Sequence, residues 1–189
     1  MDFATYILPI VLGISLAAAT GFRVFIPLLV MGLAAREGVL SVSSGFAWVG
    51  TTPALVMLSV AAAIEVAAYY IPGLDNLMDT LATPAAVVAG VLASAAVMAD
   101  VPPMLKWTLA IIAGGGAAGL TQGTTALLRG HSTVLTAGFG NPIIATGELV
   151  SALAVSILSI LAPWIALLVA LVLLAAAYRL MRRGRPSRT

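Results

Sequence analysis

The chain alternates long apolar runs with short polar interruptions. Apolar residues dominate at about 4–22, 51–71, 84–99, 104–120, 142–162 and 163–181. Each run approaches the roughly 20 residues that an α-helix needs to cross a hydrocarbon core about 30 Å thick. Six spanning helices are therefore expected. Pro53, Pro84 and Pro142 stand where a helix would begin, since proline suits the first helical turn. Pro72, Pro102, Pro103 and Pro163 follow runs that they help to end. Two segments, 23–36 (RVFIPLLVMGLAAR) and 122–129 (QGTTALLR), follow a run but are too short to cross alone. They read as half-helices or re-entrant pieces.

The two short segments fall at matching places. The first half runs as a span, a break ATGFR, a short helix, a loop SVSSGFAWVGTTP and two spans. The second half runs as a span, a break GLTQG, a short helix, a loop HSTVLTAGFGNP and two spans. The shared plan suggests two repeats, 4–99 and 104–181. With three spans in each, the halves would be inverted in the membrane, a plan found in transporters that form binding sites where helices break.

Composition agrees with the pattern. Hydrophobic residues make up 61% of the chain and charged residues 8%, against roughly a quarter charged in a soluble domain. Mean hydropathy is +1.13. The expectation is an all-α integral membrane protein, with a single transmembrane domain over 1–181 and a basic cytoplasmic tail over 182–189. The only early charge is Asp2, so the first run lacks the basic start of a secretory signal and reads as a mature span. Arg179, Arg182, Arg183, Arg185 and Arg188 cluster after the last run, as in a juxtamembrane anchor that meets anionic lipid. No nucleic-acid partner is expected. There is no cysteine, so thiolate chemistry is excluded.

Placing the arginine tail inside, with six spans, puts the N-terminus inside as well. Arg36 and Lys106 are then outside, and Arg129 with His131 lies at the inner face. The expected location is a cytoplasmic membrane, with the lipid bilayer as partner and a second copy of the chain as a further one.

Charges within the apolar runs are the candidate chemistry, because each must pair or meet water. Arg23 interrupts the first break, and its guanidinium suits a carboxylate or an anionic ligand, the alternative being a side chain that snorkels to the surface. Glu65 and Glu148 lie within runs. Counted from Pro53 and Pro142 at 1.5 Å per residue, they are about 18 Å and about 9 Å deep from opposite faces, so inversion brings them to similar levels. Arg23, Glu65, Gln122, Glu148 and Asn141 form the expected ion- or substrate-binding set. Asp75, Asp79 and Arg129 are expected at the inner mouth. Asp75 and Asp79, four apart, read as a solvated helix cap and face, and the lone His131 as a loop residue. Neither makes a metal constellation, and no cofactor is implied. Tyr69 and Tyr70 read as an interfacial belt. GGGAAG reads as close helix packing, and the small-residue faces of spans three and four serve internal packing or dimerisation.

The stretches SLAAATGFRVFIPLL, EVAAYYIPGLDNLMDTLATPAAVVAG, WTLAIIAGGGAAGLTQG and LLRGHSTVLTAGFGNPIIATGE resemble the domain of unknown function 4126 family of small bacterial membrane proteins. The resemblance covers nearly the whole chain apart from the arginine tail. Matching positions include Gly21, Arg23, Pro27, Glu65, Pro72, Asp75, Asp79, Gly119, Gln122, Arg129, Asn141, Pro142 and Glu148. Where many relatives carry an acidic and a basic residue, this chain has Tyr69 and Tyr70. The resemblance implies a polytopic membrane protein and brings no assigned activity.

The expected function is a small transporter or channel for an ion or polar solute, its carboxylates binding a cation or exchanging a proton. The alternative is a membrane scaffold or lipid-binding subunit in which the same residues form a static polar network. No catalytic motif points to an enzyme, although paired carboxylates leave acid–base chemistry on a lipid conceivable.

Overall fold

A computed structural model describes residues 4–71 and 74–183, with the backbone alone at 4, 76 and 181–183. Pro72 and most of the expected basic tail, 184–189, lie outside the described residues. All regular structure among the described residues is helical. It comprises α1 (Ala4–Thr20), α2 (Phe25–Arg36), a 3-10 helix (Ser44–Gly50), α3 (Thr52–Ala68), α4 (Leu74–Val97), α5 (Pro103–Leu109), a π-helical segment (Ala110–Gly115), α6 (Gly116–Thr136), α7 (Asn141–Leu161) and α8 (Pro163–Arg183).

The core is built from small residues and the outside from large ones. Ala18, Ala19, Ala62 and Ala152 pack with Phe22, Ile26 and Val155, while Leu16, Met31 and Val49 pack with Ala93 and Ala96. Val56, Met57, Val60 and Ile64 on α3, and Leu168, Leu171 and Val172 on α8, face outward. Without a hydrophobic force between helices in lipid, close packing of small residues is what holds them together. The chain is a membrane-embedded helical protein.

Among the described residues, four helices are long and apolar enough to cross a membrane: Leu77–Val97, Pro103–Thr136, Asn141–Leu161 and Pro163–Leu180. A fifth arises if the 3-10 helix and α3, bent by 67°, count as one span. α1 and α2, at 17 and 12 residues, are shorter.

Close contacts at glycines fix the helix directions. A Cβ on Gly13 would sit 2.8 Å from the Ser94 hydroxyl, and one on Gly114 would sit 2.7 Å from Ser94 Cβ. A Cβ on Gly21 would meet the Ala118 carbonyl at 2.4 Å and the Gln122 nitrogen at 2.9 Å. Gly13 is therefore level with Gly114, and Gly21 with Gln122. α1 and the helix 103–136 run side by side in the same direction, with α4 antiparallel to both. This departs from the inverted expectation, in which corresponding first spans would oppose each other. The α3/α7 and α4/α8 pairs do run oppositely.

α2 is a return element. Its start lies against Glu65 near the end of α3, and Gly32 near its end abuts Val49 in the 3-10 helix and Leu55 at the start of α3. α1 and α3 thus end at the same level, and the start of α1 and the end of α8 lie at opposite ends of the bundle. That geometry departs from the expectation of both termini on one side, because α2 carries the chain back across.

Three further expectations are corrected. The break expected at GLTQG is absent, and 122–129 lies within a continuous helix. Thr121, Thr124 and Thr125 return their hydroxyls to the carbonyls of Ala117, Leu120 and Gln122, leaving the helix intact. His131 consequently sits on α6 rather than in a loop, and the helix ends at Ala137 and Gly138, both at positive φ. Pro84 lies inside α4 rather than at a helix start. It removes one backbone donor, while the adjacent Thr83 hydroxyl bonds the Asp79 carbonyl at 2.8 Å.

Candidate functional site

The α1–α2 joint positions the centre of the site. Gly21 is pressed against α6, where no side chain would fit. The chain then turns through Phe22 and Arg23, and α2 begins with free backbone donors. Glu65 takes them: Oε1 accepts from the Val24 N–H at 2.7 Å and Oε2 from the Phe25 N–H at 3.0 Å. A carboxylate on a neighbouring helix thus caps α2, satisfying donors that the hydrocarbon could not.

This cap leaves Arg23 facing inward. It is 1% exposed, so it does not snorkel. Its Nη2 donates to the Ala145 carbonyl at 3.0 Å and pairs with Glu148 Oε2 at 3.2 Å. Glu148 Oε2 also accepts from Arg129 Nη2, while Arg129 Nη1 pairs with Asp79. Arg129 therefore bridges α4 and α7. The Tyr69 ring contacts both guanidiniums, with its centroid 3.9 Å from Arg23 Cζ and 4.3 Å from Arg129 Cζ. Its hydroxyl donates to Asp79 at 3.3 Å. Both cations lie against a π face.

A second tie lies toward the start of α7. Asn141 Nδ2 donates to Asp75 and, at 2.8 Å, to the Thr133 hydroxyl. Asp75 is buried at 1% exposure and the Asp79 side chain is 13% exposed. The reading of these two as a solvated cap and face gives way to an internal network, because Arg129 and Asn141 reach them from α6 and α7. No group of three or more His, Cys, Asp or Glu side chains suited to a metal occurs among the described residues.

Arg23, Glu148, Arg129, Asp79 and Tyr69 are thus one connected cluster, with Glu65 joined to it through the backbone after Arg23. Gln122 is buried beside Gly21. Tyr69, expected at the interface, lies four residues after Glu65, a spacing that puts both on one helix face. That spacing was the available signal.

Two features leave the cluster incompletely matched. Two guanidiniums against the three carboxylates of Glu65, Asp79 and Glu148 leave one net negative charge when all are ionised. Glu148 Oε1, Gln122 Nε2 and Arg23 Nη1 are buried with no hydrogen-bond partner among the described residues. Glu148 also lines a cavity of about 220 Å³ between α6, α7 and α8.

No curated protein and no solved structure matches the chain. Over residues 10–183, a span that holds every residue of this cluster, the chain belongs to the family described as Domain of unknown function (DUF4126).

Proposed function

We propose that the protein is a small membrane transporter or channel for an ion or polar solute, with Glu148 as the exchanging group. The observation that carries this reading is the Glu148 carboxylate, whose Oε2 is shared by two arginines while Oε1 is unpartnered among the described residues, beside a cavity. A charge that is buried, paired and next to a cavity is the usual mark of an intramembrane pathway. Arg23 and Arg129 act as its counter-ions when no solute or proton is bound. Glu65 holds the α1–α2 joint, and Asp75 with Asn141 ties the near end of the bundle.

The six-pass count belongs to this proposal. It takes α1, the bent pair and the four long helices as the six full-length passes, with α2 as an additional, shorter crossing in the return direction. The opposed directions of α3/α7 and α4/α8 support inversion for those elements alone.

The test is proton flux in vesicles containing the purified protein, read by a trapped pH dye after a potassium diffusion potential is imposed. The wild type should leak protons, and Glu148→Gln should abolish the leak while remaining assembled. A second reading, a scaffold with a static network, is favoured by the extent to which arginines and backbone donors occupy the carboxylates. It expects no wild-type flux and a Glu148→Gln protein that is mainly less stable.

A further inference from the structure

The cavity beside Glu148 has a composition that selects its occupant. Phe22, Leu128 and Leu173 give it apolar walls, and Thr125 and Glu148 supply polar groups. Gly147 at its edge is exposed, and the neighbouring outer faces of α7 and α8 carry aliphatic side chains. The cavity therefore communicates with the lipid side of the bundle.

We propose that this cavity binds a lipophilic ammonium ion that arrives from the bilayer, its head at Glu148 and its chain along the apolar wall. The inference rests on the reading of Glu148 as the exchanging group and names the substrate class of that site. Charge decides the sign of the head group. Glu148 is the only ionisable residue lining the cavity among the described residues, its buried Oε1 takes no hydrogen bond there, and the cluster as a whole, Glu148 included, carries one net negative charge when all its groups are ionised. Arg23 and Arg129 sit behind Glu148 and do not line the cavity, so an anionic head would meet only the carboxylate. A small hydrated cation would lose water against walls that offer few replacement bonds. An ammonium with an aliphatic chain places each part against matching chemistry.

Because the chain has no cysteine, a single thiol reports occupancy. Gly147→Cys suits, since a Cβ there meets nothing within 4 Å. Its labelling by a methanethiosulfonate reagent is followed with the protein in lipid nanodiscs, in the presence of octylammonium, octyl sulfate or octanol. Octylammonium at ten times its Kd should slow labelling about tenfold, and the other two should leave the rate unchanged. Ala177→Phe, which fills the cavity, and Glu148→Gln should each remove the protection. If Glu148→Gln does not assemble, Ala177→Phe decides.

Equal protection by all three probes, or by none, overturns the proposal, as does protection that survives Ala177→Phe. Proton flux without amphiphile is measured in parallel. Protection lost with flux retained refutes this inference alone, and flux absent with protection retained refutes the transport reading alone.

Discussion

Replacing Glu65 tests whether an intramembrane carboxylate serves the backbone rather than the proposed transport. Glu65 is 3% exposed and accepts the Val24 and Phe25 N–H groups at 2.7 and 3.0 Å. Each is a charge-assisted bond with a net worth of about 1.5–3 kcal/mol. Glu65→Gln keeps one acceptor oxygen and turns an NH₂ toward the other donor, so it should cost about 2–3 kcal/mol. Glu65→Ala orphans both donors at about 1–3 kcal/mol each and should cost about 2–6 kcal/mol. A thiol at Ala19, which is fully buried in the core, reads this directly, because it labels only when the bundle opens. At tenfold per 1.4 kcal/mol, Glu65→Gln should raise the labelling rate about 30- to 150-fold, and Glu65→Ala further. Labelling of Glu65→Gln at the wild-type rate would refute the cap. Normal stability with flux abolished would make Glu65 a transport group instead.

The same buried thiol reads the remaining variants. Gly21→Ala drives a methyl into the Ala118 carbonyl and should cost about 1–3 kcal/mol, whereas Gly116→Ala, with open space at its Cβ, should be neutral or stabilising. Equal effects would refute the close α1–α6 approach. Arg129→Gln strips Glu148 and Asp79 of a shared cation and should cost about 3–5 kcal/mol, partly recovered by adding Asp79→Asn; an additive double variant would refute the pairing. Tyr69→Phe removes one half-buried hydroxyl bond and should cost under about 1 kcal/mol, while Tyr69→Leu loses both guanidinium contacts and should cost about 1–3 kcal/mol. Equal costs would remove the ring from the argument. The exposed Trp48, Trp107 and Trp164 all lie at the bundle end opposite the charged cluster, so lipids brominated near the head group should quench their fluorescence most. Maximal quenching from the bilayer centre would contradict that placement.

How far the site was legible depends on which physical signal each residue carries. Arg23 and Glu148 announce themselves because a charge in an apolar run must find a partner, and counting rise per residue put Glu65 and Glu148 near one level. The direction of α1 left no such mark. Hydropathy records that a segment is apolar, not which way it runs, and α2 is short enough to look re-entrant although it returns the chain. The matching breaks ATGFR and GLTQG behave differently because Glu65 caps the first, whereas Glu148, the corresponding carboxylate, is taken by arginines and three threonines keep the second helical. Pro84 within α4 misled for a related reason, since its lost donor is a local cost and the surrounding helix packing is not local. Tyr69 is obscured by its chemistry, being equally suited to a lipid interface and to a contact with buried guanidiniums.

The depth of Glu148 along α7 has an electrical consequence. It lies six residues beyond Pro142, about 9 Å into a helix that crosses a hydrocarbon layer about 30 Å thick. If the voltage falls evenly, a charge reaching it from the near face traverses about a third of the field. At about 2.3 kcal/mol per charge per 100 mV, that step is worth about 0.8 kcal/mol, and roughly twice as much falls across the tightly packed alanine-rich half beyond. A current carried through Glu148 would therefore owe most of its voltage sensitivity to the far half of the bundle, and substitutions at Leu16, Ala93 or Ala96 would change rectification more than those at the charged cluster.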